Sequence, residues 1–237
     1  MQFLLFLFGM FVSVYSPVPA TVPPVVFSVP QKIVYLTFDA DMTPKMALEI
    51  RQKKVQLWYD PALLTYLTSE RIPFTIFMTG MFAEQYPETA RSLAKNPRVS
   101  IQNHSYDHFG FVGQCFRLAV LTTDRERRRE IERTQIILKK MTGRTPTLFR
   151  YPGLCRSAET DVVVNNAGLT VSDGTLISGD AFAHDPQKIV TKILFQVRAG
   201  SEIVLHLGGP NAPSTTTAVR TVVPLLMARG FSFATLP

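Results

Sequence analysis

Cysteine is scarce in this sequence: Cys115 and Cys155 are the only two. No disulfide framework can therefore hold the fold. If the chain is exported the pair can form one bridge between loops, and two free thiols stand equally open. A thiol nucleophile at Cys155 has no assignable base. Charge is also sparse, at 18% of residues against 46% hydrophobic, which excludes a disordered chain. Long apolar runs are few. The one at residues 3–15 is too short for a comfortable membrane span and suits the apolar region of a signal sequence. It has no Lys or Arg before it, so an uncleaved membrane anchor at residues 1–20 is the alternative.

Proline, by contrast, is concentrated at residues 17–30, where Pro17, Pro19, Pro23, Pro24 and Pro30 predict an extended tether over 21–31. The folded domain is expected at 32–237, a single domain with ample length for a core. The formal charge of +7 is drawn largely from residues 125–140. There Glu126, Glu130 and Glu132 interleave with the arginines, and Ile131, Thr134, Leu138 and Met141 form a helical stripe. That is a solvated outer helix, not a nucleic-acid surface. Such a basic face also suits a polyanionic cell envelope. No segment points to an obligate protein partner.

The remaining chain alternates short apolar runs with helical stretches. Strands are expected at 32–38, 74–78, 99–102, 147–151, 169–172, 175–178, 202–207 and 231–236. Helices are expected at 61–70, 82–95, 125–141, 158–168, 186–198 and 215–229, with 43–59 read as an extra loop. This pattern predicts an α/β fold, a closed or nearly closed (β/α) barrel of about seven parallel strands.

Two of the four histidines stand four residues apart in NHSYDH, residues 103–108. On a helical turn His104 and His108 would share a face, a metal-ligand spacing; a capped helix start explains the same residues as well. Placement tips the balance. Asp39, Asp41, His104, Arg150, Asp180 and His206 all fall at predicted C-terminal strand ends, the face where barrel chemistry is assembled. Side chains alternate along a strand, so Asp39 and Asp41 point one way and Ala40 the other. Two histidines and a carboxylate suit a catalytic metal, with the second carboxylate as base. His206, before an open glycine loop, suits the acid for a leaving amine. Arg150 can orient Asp39, with Asp180 a second anion to balance it, or these can be a scaffold ion pair. Two histidines and a carboxylate also fit an iron oxygenase, but on a different sheet architecture.

With these residues in view, the sequence resembles the polysaccharide deacetylases with the NodB homology domain, carbohydrate esterase family 4. The resemblance rests on TFDAD (37–41), NHSYDH (103–108), FRYPG (149–153), SGDAF (178–182) and VLHLGGP (204–210), in family order. It implies a distorted or incomplete (β/α) barrel and a metal-dependent hydrolase removing N-acetyl groups from an N-acetylhexosamine glycan (chitin-like, peptidoglycan or exopolysaccharide); with the apolar N-terminus, the expected location is the periplasm or outside the cell. It implies Asp39 as base, His206 as acid, Arg150 as the residue tuning the base, Asp180 as an acidic residue supporting this network, and His104 and His108 as ligands. The metal it implies is zinc first, with cobalt, nickel or manganese as alternatives. On the substrate side it implies Tyr151, Phe182 near a family tryptophan, and Val204 at the acetyl methyl. The family usually has adjacent aspartates in its first block, the second binding metal; here Ala40 stands there. The Asp-x-Asp spacing of related amide hydrolases makes Asp41 the expected third ligand. Trp58 is a candidate for sugar stacking or for packing beneath the 43–59 loop. Two alternatives follow from the same departure: hydrolysis of a non-sugar amide, or a carbohydrate-binding homologue weakened in turnover by Ala40.

Overall fold

The computed structural model describes residues 32–237. The expected signal or anchor (1–20) and the tether (21–31) lie outside the described residues. The core of the sheet is β1 (Lys32–Ala40), whose β-branched and aromatic residues are almost all buried from Leu36 onward. It is flanked by β2 (Phe74–Met78) and β3 (Val99–Asn103), then two-residue strands β4 (Leu148–Phe149) and β5 (Thr170–Val171). On its other side lie β7 (Glu202–His206) and β6 (Leu176–Ile177). The order is β5-β4-β3-β2-β1-β7-β6, with β8 (Phe231–Phe233) paired to the start of β1. Every strand pairing is parallel. No pairing joins β5 to β6, so the seven-stranded path curls into a half-barrel that stays open there. Parallel strands must be linked by crossovers, and the helices supply most of them.

Those helices are α1 (Pro44–Arg51), α2 (Pro61–Ser69), α3 (Gly80–Gln85), α4 (Pro87–Lys95), α5 (Asp124–Thr142), α6 (Ala158–Asn166), α7 (Pro186–Gln196) and α8 (Thr215–Ala228). α5 is the basic outer helix. Thr123 and Glu126 form a reciprocal cap at its start, and Gly143, at φ 72°, ends it. Its inward face carries Ile131, Thr134 and Leu138 together with one acid, Glu130.

Three local expectations are corrected. Residues 82–95 form two helices, because Pro87 has no N–H to continue the first and forces Tyr86 out of helical geometry (φ −124°, ψ 59°). The 43–59 loop contains α1, started by Thr43 accepting the Met46 N–H at 3.1 Å and anchored by buried Ala47. With eight residues, its apolar face is too brief to register as a period. β4 ends at Phe149, where the chain turns toward Pro152 and Gly153 (φ 65°). That turn frees Arg150 to enter the half-barrel.

Candidate active site

The histidine segment is not helical. It is a turn leaving β3, with Ser105 and His108 in left-handed backbone (φ 64° and 61°). Asn103 and Glu130 make this turn affordable. The Asn103 side chain accepts the Ser105 N–H at 2.9 Å and donates to the Ile131 carbonyl at 3.0 Å. Glu130 on α5 accepts the N–H groups of Tyr106 and Asp107 at 2.9 and 3.0 Å. Neither residue was singled out in the sequence; an acid on the inward stripe of α5 was the available signal. The turn brings the imidazoles together with their ring centroids 5.0 Å apart. The juxtaposition expected of a helix thus arises from a different backbone path.

Alternation along β1 holds. Ala40 is buried in the hydrophobic core, while Asp39 and Asp41 face the histidines. Asp41 Oδ1 lies 3.3 Å from His104 Nε2 and 3.4 Å from His108 Nε2. Burial alone would raise the Asp41 pKa, but His108, His104 and His206 overcome it and hold the carboxyl well below its usual range. Burial lowers the His108 pKa and prevails over the attraction of Asp41, so this imidazole is neutral at neutral pH. For His104 burial is outweighed by Asp39 and Asp41, and its pKa rises.

Arg150, fully buried, fills the polar interior of the half-barrel. Its Nη1 donates to Asp39 Oδ1 and to Thr37 Oγ1, each at 2.9 Å, and its Nε donates to the Ser172 carbonyl at 3.1 Å. The guanidinium lies over the Phe77 ring, 3.9 Å from its centre. Asp180 does not balance Arg150, contrary to the sequence expectation. It accepts from His206 Nδ1 at 2.8 Å, from the His206 amide at 2.7 Å and from Thr215 Oγ1 at 2.6 Å. The short turn after β6 carries Asp180 to the end of β7, away from Arg150. Burial would lower the His206 pKa, but the charge and hydrogen bond of Asp180, with Asp41 and Asp39 behind, push it up to about 10. His206 Nε2 lies 3.6 Å from Asp41 Oδ2.

The donor set fits a divalent cation. Ligand atoms of Asp41, His104 and His108 lie within 4.8 Å of one another. His104 Nε2 and Asp41 Oδ1 are buried without a hydrogen-bond partner, their 3.3 Å approach being misaligned for one. Such orphaned polar atoms are costly unless something coordinates them. His104 Nδ1 donates to the Arg150 carbonyl at 2.8 Å, which leaves the Nε2 lone pair facing the cluster. Arg150 therefore orients an acid through its side chain and a histidine through its backbone.

Beside this cluster is a cavity of about 180 Å³. Asp39, His108 and His206 form its polar floor, and Val204, Ile177, Phe182, Phe116, Leu118 and Leu154 its main walls. Val204 and Phe182, both expected on the substrate side, line this cavity. Tyr151, expected there too, does not. Tyr151 is wholly buried in a second core cluster with Phe111 and Phe149, its hydroxyl donating to Asp161 at 3.1 Å. Of the two roles open to Trp58 the structure shows packing: it lies against the main core, its indole N–H bonded to the Met46 carbonyl at 3.1 Å. Phe116, Leu118 and Leu154 were missed. Cys115 and Cys155, left open by the sequence, form a disulfide with Cα atoms 6.0 Å apart that joins the loops bearing these three residues.

Residues 28–172 match the polysaccharide deacetylase family. The chain belongs to that family. It is 28% identical over 219 residues to a chitooligosaccharide deacetylase of Azorhizobium caulinodans, covering 87% of this chain and 94% of the relative. It is 26% identical over 189 residues to a peptidoglycan-N-acetylglucosamine deacetylase of Bacillus cereus, covering 76% of this chain and 63% of the relative. Among solved structures, a carbohydrate esterase family 4 pseudoenzyme from Bacillus anthracis superposes with a TM-score of 0.70 at 17% identity, over 87% of this chain and 64% of that one. That likeness shows the shared fold.

Proposed function

We propose that the protein is a metal-dependent hydrolase that removes N-acetyl groups from an N-acetylhexosamine glycan. One observation carries the reading. A convergent Asp41, His104 and His108 set stands beside both an arginine-bound carboxylate, Asp39, and a carboxylate-bound imidazole, His206. A base candidate and an acid candidate at one ligand cluster are what amide hydrolysis requires.

A divalent cation on Asp41, His104 and His108, zinc first and cobalt, nickel or manganese as alternatives, would supply Lewis acidity to the acetamido carbonyl. Arg150 occupies Asp39 Oδ1, leaving Oδ2 to take a proton from the attacking water. His206, with Nδ1–H committed to Asp180, presents protonated Nε2 to the leaving amine nitrogen. Asp180 stays ionised, its pKa lowered by His206 and Thr215 against the opposing effect of burial. Val204 and the neighbouring apolar wall receive the acetyl methyl. The named activities of the chitooligosaccharide and peptidoglycan deacetylase relatives support this substrate class. The same reading places the protein in the cell envelope or outside the cell. The Cys115–Cys155 bridge supports that placement, because disulfides persist in oxidising compartments.

A second reading, hydrolysis of a non-sugar amide, is favoured by the cavity walls, which are hydrocarbon apart from Asp39, His108 and His206. Acetate release from N-acetylglucosamine oligomers, lost on chelation and in His104→Ala, is the expected result. Release from small amides alone would favour the second reading. No release from any acetylated glycan by protein of verified metal content would overturn the first.

A further inference from the structure

Phe116 and Phe182 meet ring against ring at the cavity, their centroids 5.7 Å apart and their planes 29° from parallel. Both are mostly exposed, at 64% and 74%. They come from separate parts of the chain. Phe116 lies between β3 and α5, Phe182 in the turn after β6. A sugar ring sandwiched between two aromatic faces needs a slot, and at this separation the facing surfaces are spent on each other. The pair is therefore a barrier across one side of the cavity mouth.

The Phe116 side of the barrier is braced. The disulfide at Cys115 ties its loop to Cys155, 40 residues away. Gln114, Phe116 and Arg117 lie in left-handed backbone (φ 60°, 46° and 58°), a region L residues avoid unless the surroundings impose it. The facing turn is in direct contact. A Cβ on Gly153 would sit 2.6 Å from Cys115 Sγ and 3.0 Å from Phe116 Cδ2. Phe182 stands on the turn that also carries Asp180, which is bonded to His206.

We propose that Phe116 is a specificity-determining residue. With Phe182 it walls off one side of the site, restricting it to the end of a glycan chain or to short oligomers and excluding the interior of a polymer. This rests on the deacetylase reading, and binding tests it separately from turnover. The experiment uses the full zinc-loaded chain with N-acetylglucosamine dimer, hexamer and soluble chitin. Wild-type protein should deacetylate a terminal residue of the hexamer, mapped by mass spectrometry. Phe116→Ala should raise the polymer-to-dimer ratio of kcat/KM by about fivefold or more and admit internal residues. Phe116→Tyr should behave as wild type. The Cys115→Ser/Cys155→Ser variant, which releases the brace, should shift in the same direction as Phe116→Ala. Calorimetric affinities for hexamer and dimer are measured in parallel. If no variant releases acetate but Phe116→Ala raises the hexamer-to-dimer affinity ratio, the barrier stands and the activity reading falls. Unchanged ratios in both turnover and binding, or internal deacetylation by the wild-type protein, would overturn the barrier.

Discussion

Asp180 holds both the ring and the backbone of His206, accepting from Nδ1 at 2.8 Å and from the amide at 2.7 Å. The His206 pKa is accordingly raised from 6.5 to about 10, against the effect of burial. A histidine whose folded pKa is raised stabilises the protein fully below its unfolded pKa, and that contribution is lost as pH climbs through the folded one. Metal-free protein should therefore lose stability from about pH 6.5 to pH 10, by an amount on the order of a few kcal/mol. Asp180→Asn should flatten that slope and move the alkaline limb of the activity profile to lower pH. Urea unfolding across this range, for both proteins, measures the first effect. An unchanged slope in Asp180→Asn would reject the coupling.

Arg150 is fully buried with its guanidinium bonded to Asp39, Thr37 and Ser172. Truncating it leaves the Asp39 carboxylate buried and unpaired. Arg150→Ala should cost about 3–5 kcal/mol of stability, the range for breaking a buried pair. Lysine should not restore the wild-type value, because a single ammonium cannot reach the Asp39, Thr37 and Ser172 acceptors with a planar fork. Denaturant midpoints of the two variants decide this.

Glu130 touches no ligand atom of the cluster but accepts two N–H groups of the turn that delivers His108. Burial and the adjoining Glu130 carboxyl push Asp107 up to about 7. Glu130→Gln should weaken zinc affinity by about 10- to 100-fold, the usual effect of loosening a ligand's support. Competition with a chromophoric chelator reads that affinity directly. Wild-type affinity in this variant would mean that the turn holds itself.

Ala40 points into the hydrophobic core, with 1% of its surface exposed. Restoring the adjacent aspartates usual in the family, by Ala40→Asp, should bury an unpartnered carboxyl. Several kcal/mol of destabilisation is expected, on the order of that for an uncompensated polar group, with no gain in metal affinity. Asp41→Ala should abolish metal binding while leaving the fold intact. Tighter zinc binding by Ala40→Asp, with normal stability, would move the third ligand to position 40.

The parallel α/β architecture, the strand ends that carry chemistry and the shared facing of Asp39 and Asp41 were all legible in the chain. Each follows from local rules: apolar runs of strand length, side-chain alternation, and a barrel's habit of gathering polar residues at one end of its strands. Tertiary structure decided what depends on long-range pairing. His104 and His108 converge through a left-handed turn because Glu130, on a helix packed behind them, satisfies its N–H groups. Asp180 serves His206 and not Arg150 because the turn after β6 ends beside β7. Tyr151 turns into an aromatic core where a substrate role was expected, and Phe116, with no local pattern to mark it, reaches the cavity through a disulfide spanning 40 residues. Sequence periodicity reports which face of an element is buried; it carries no record of which distant side chain arrives to meet it.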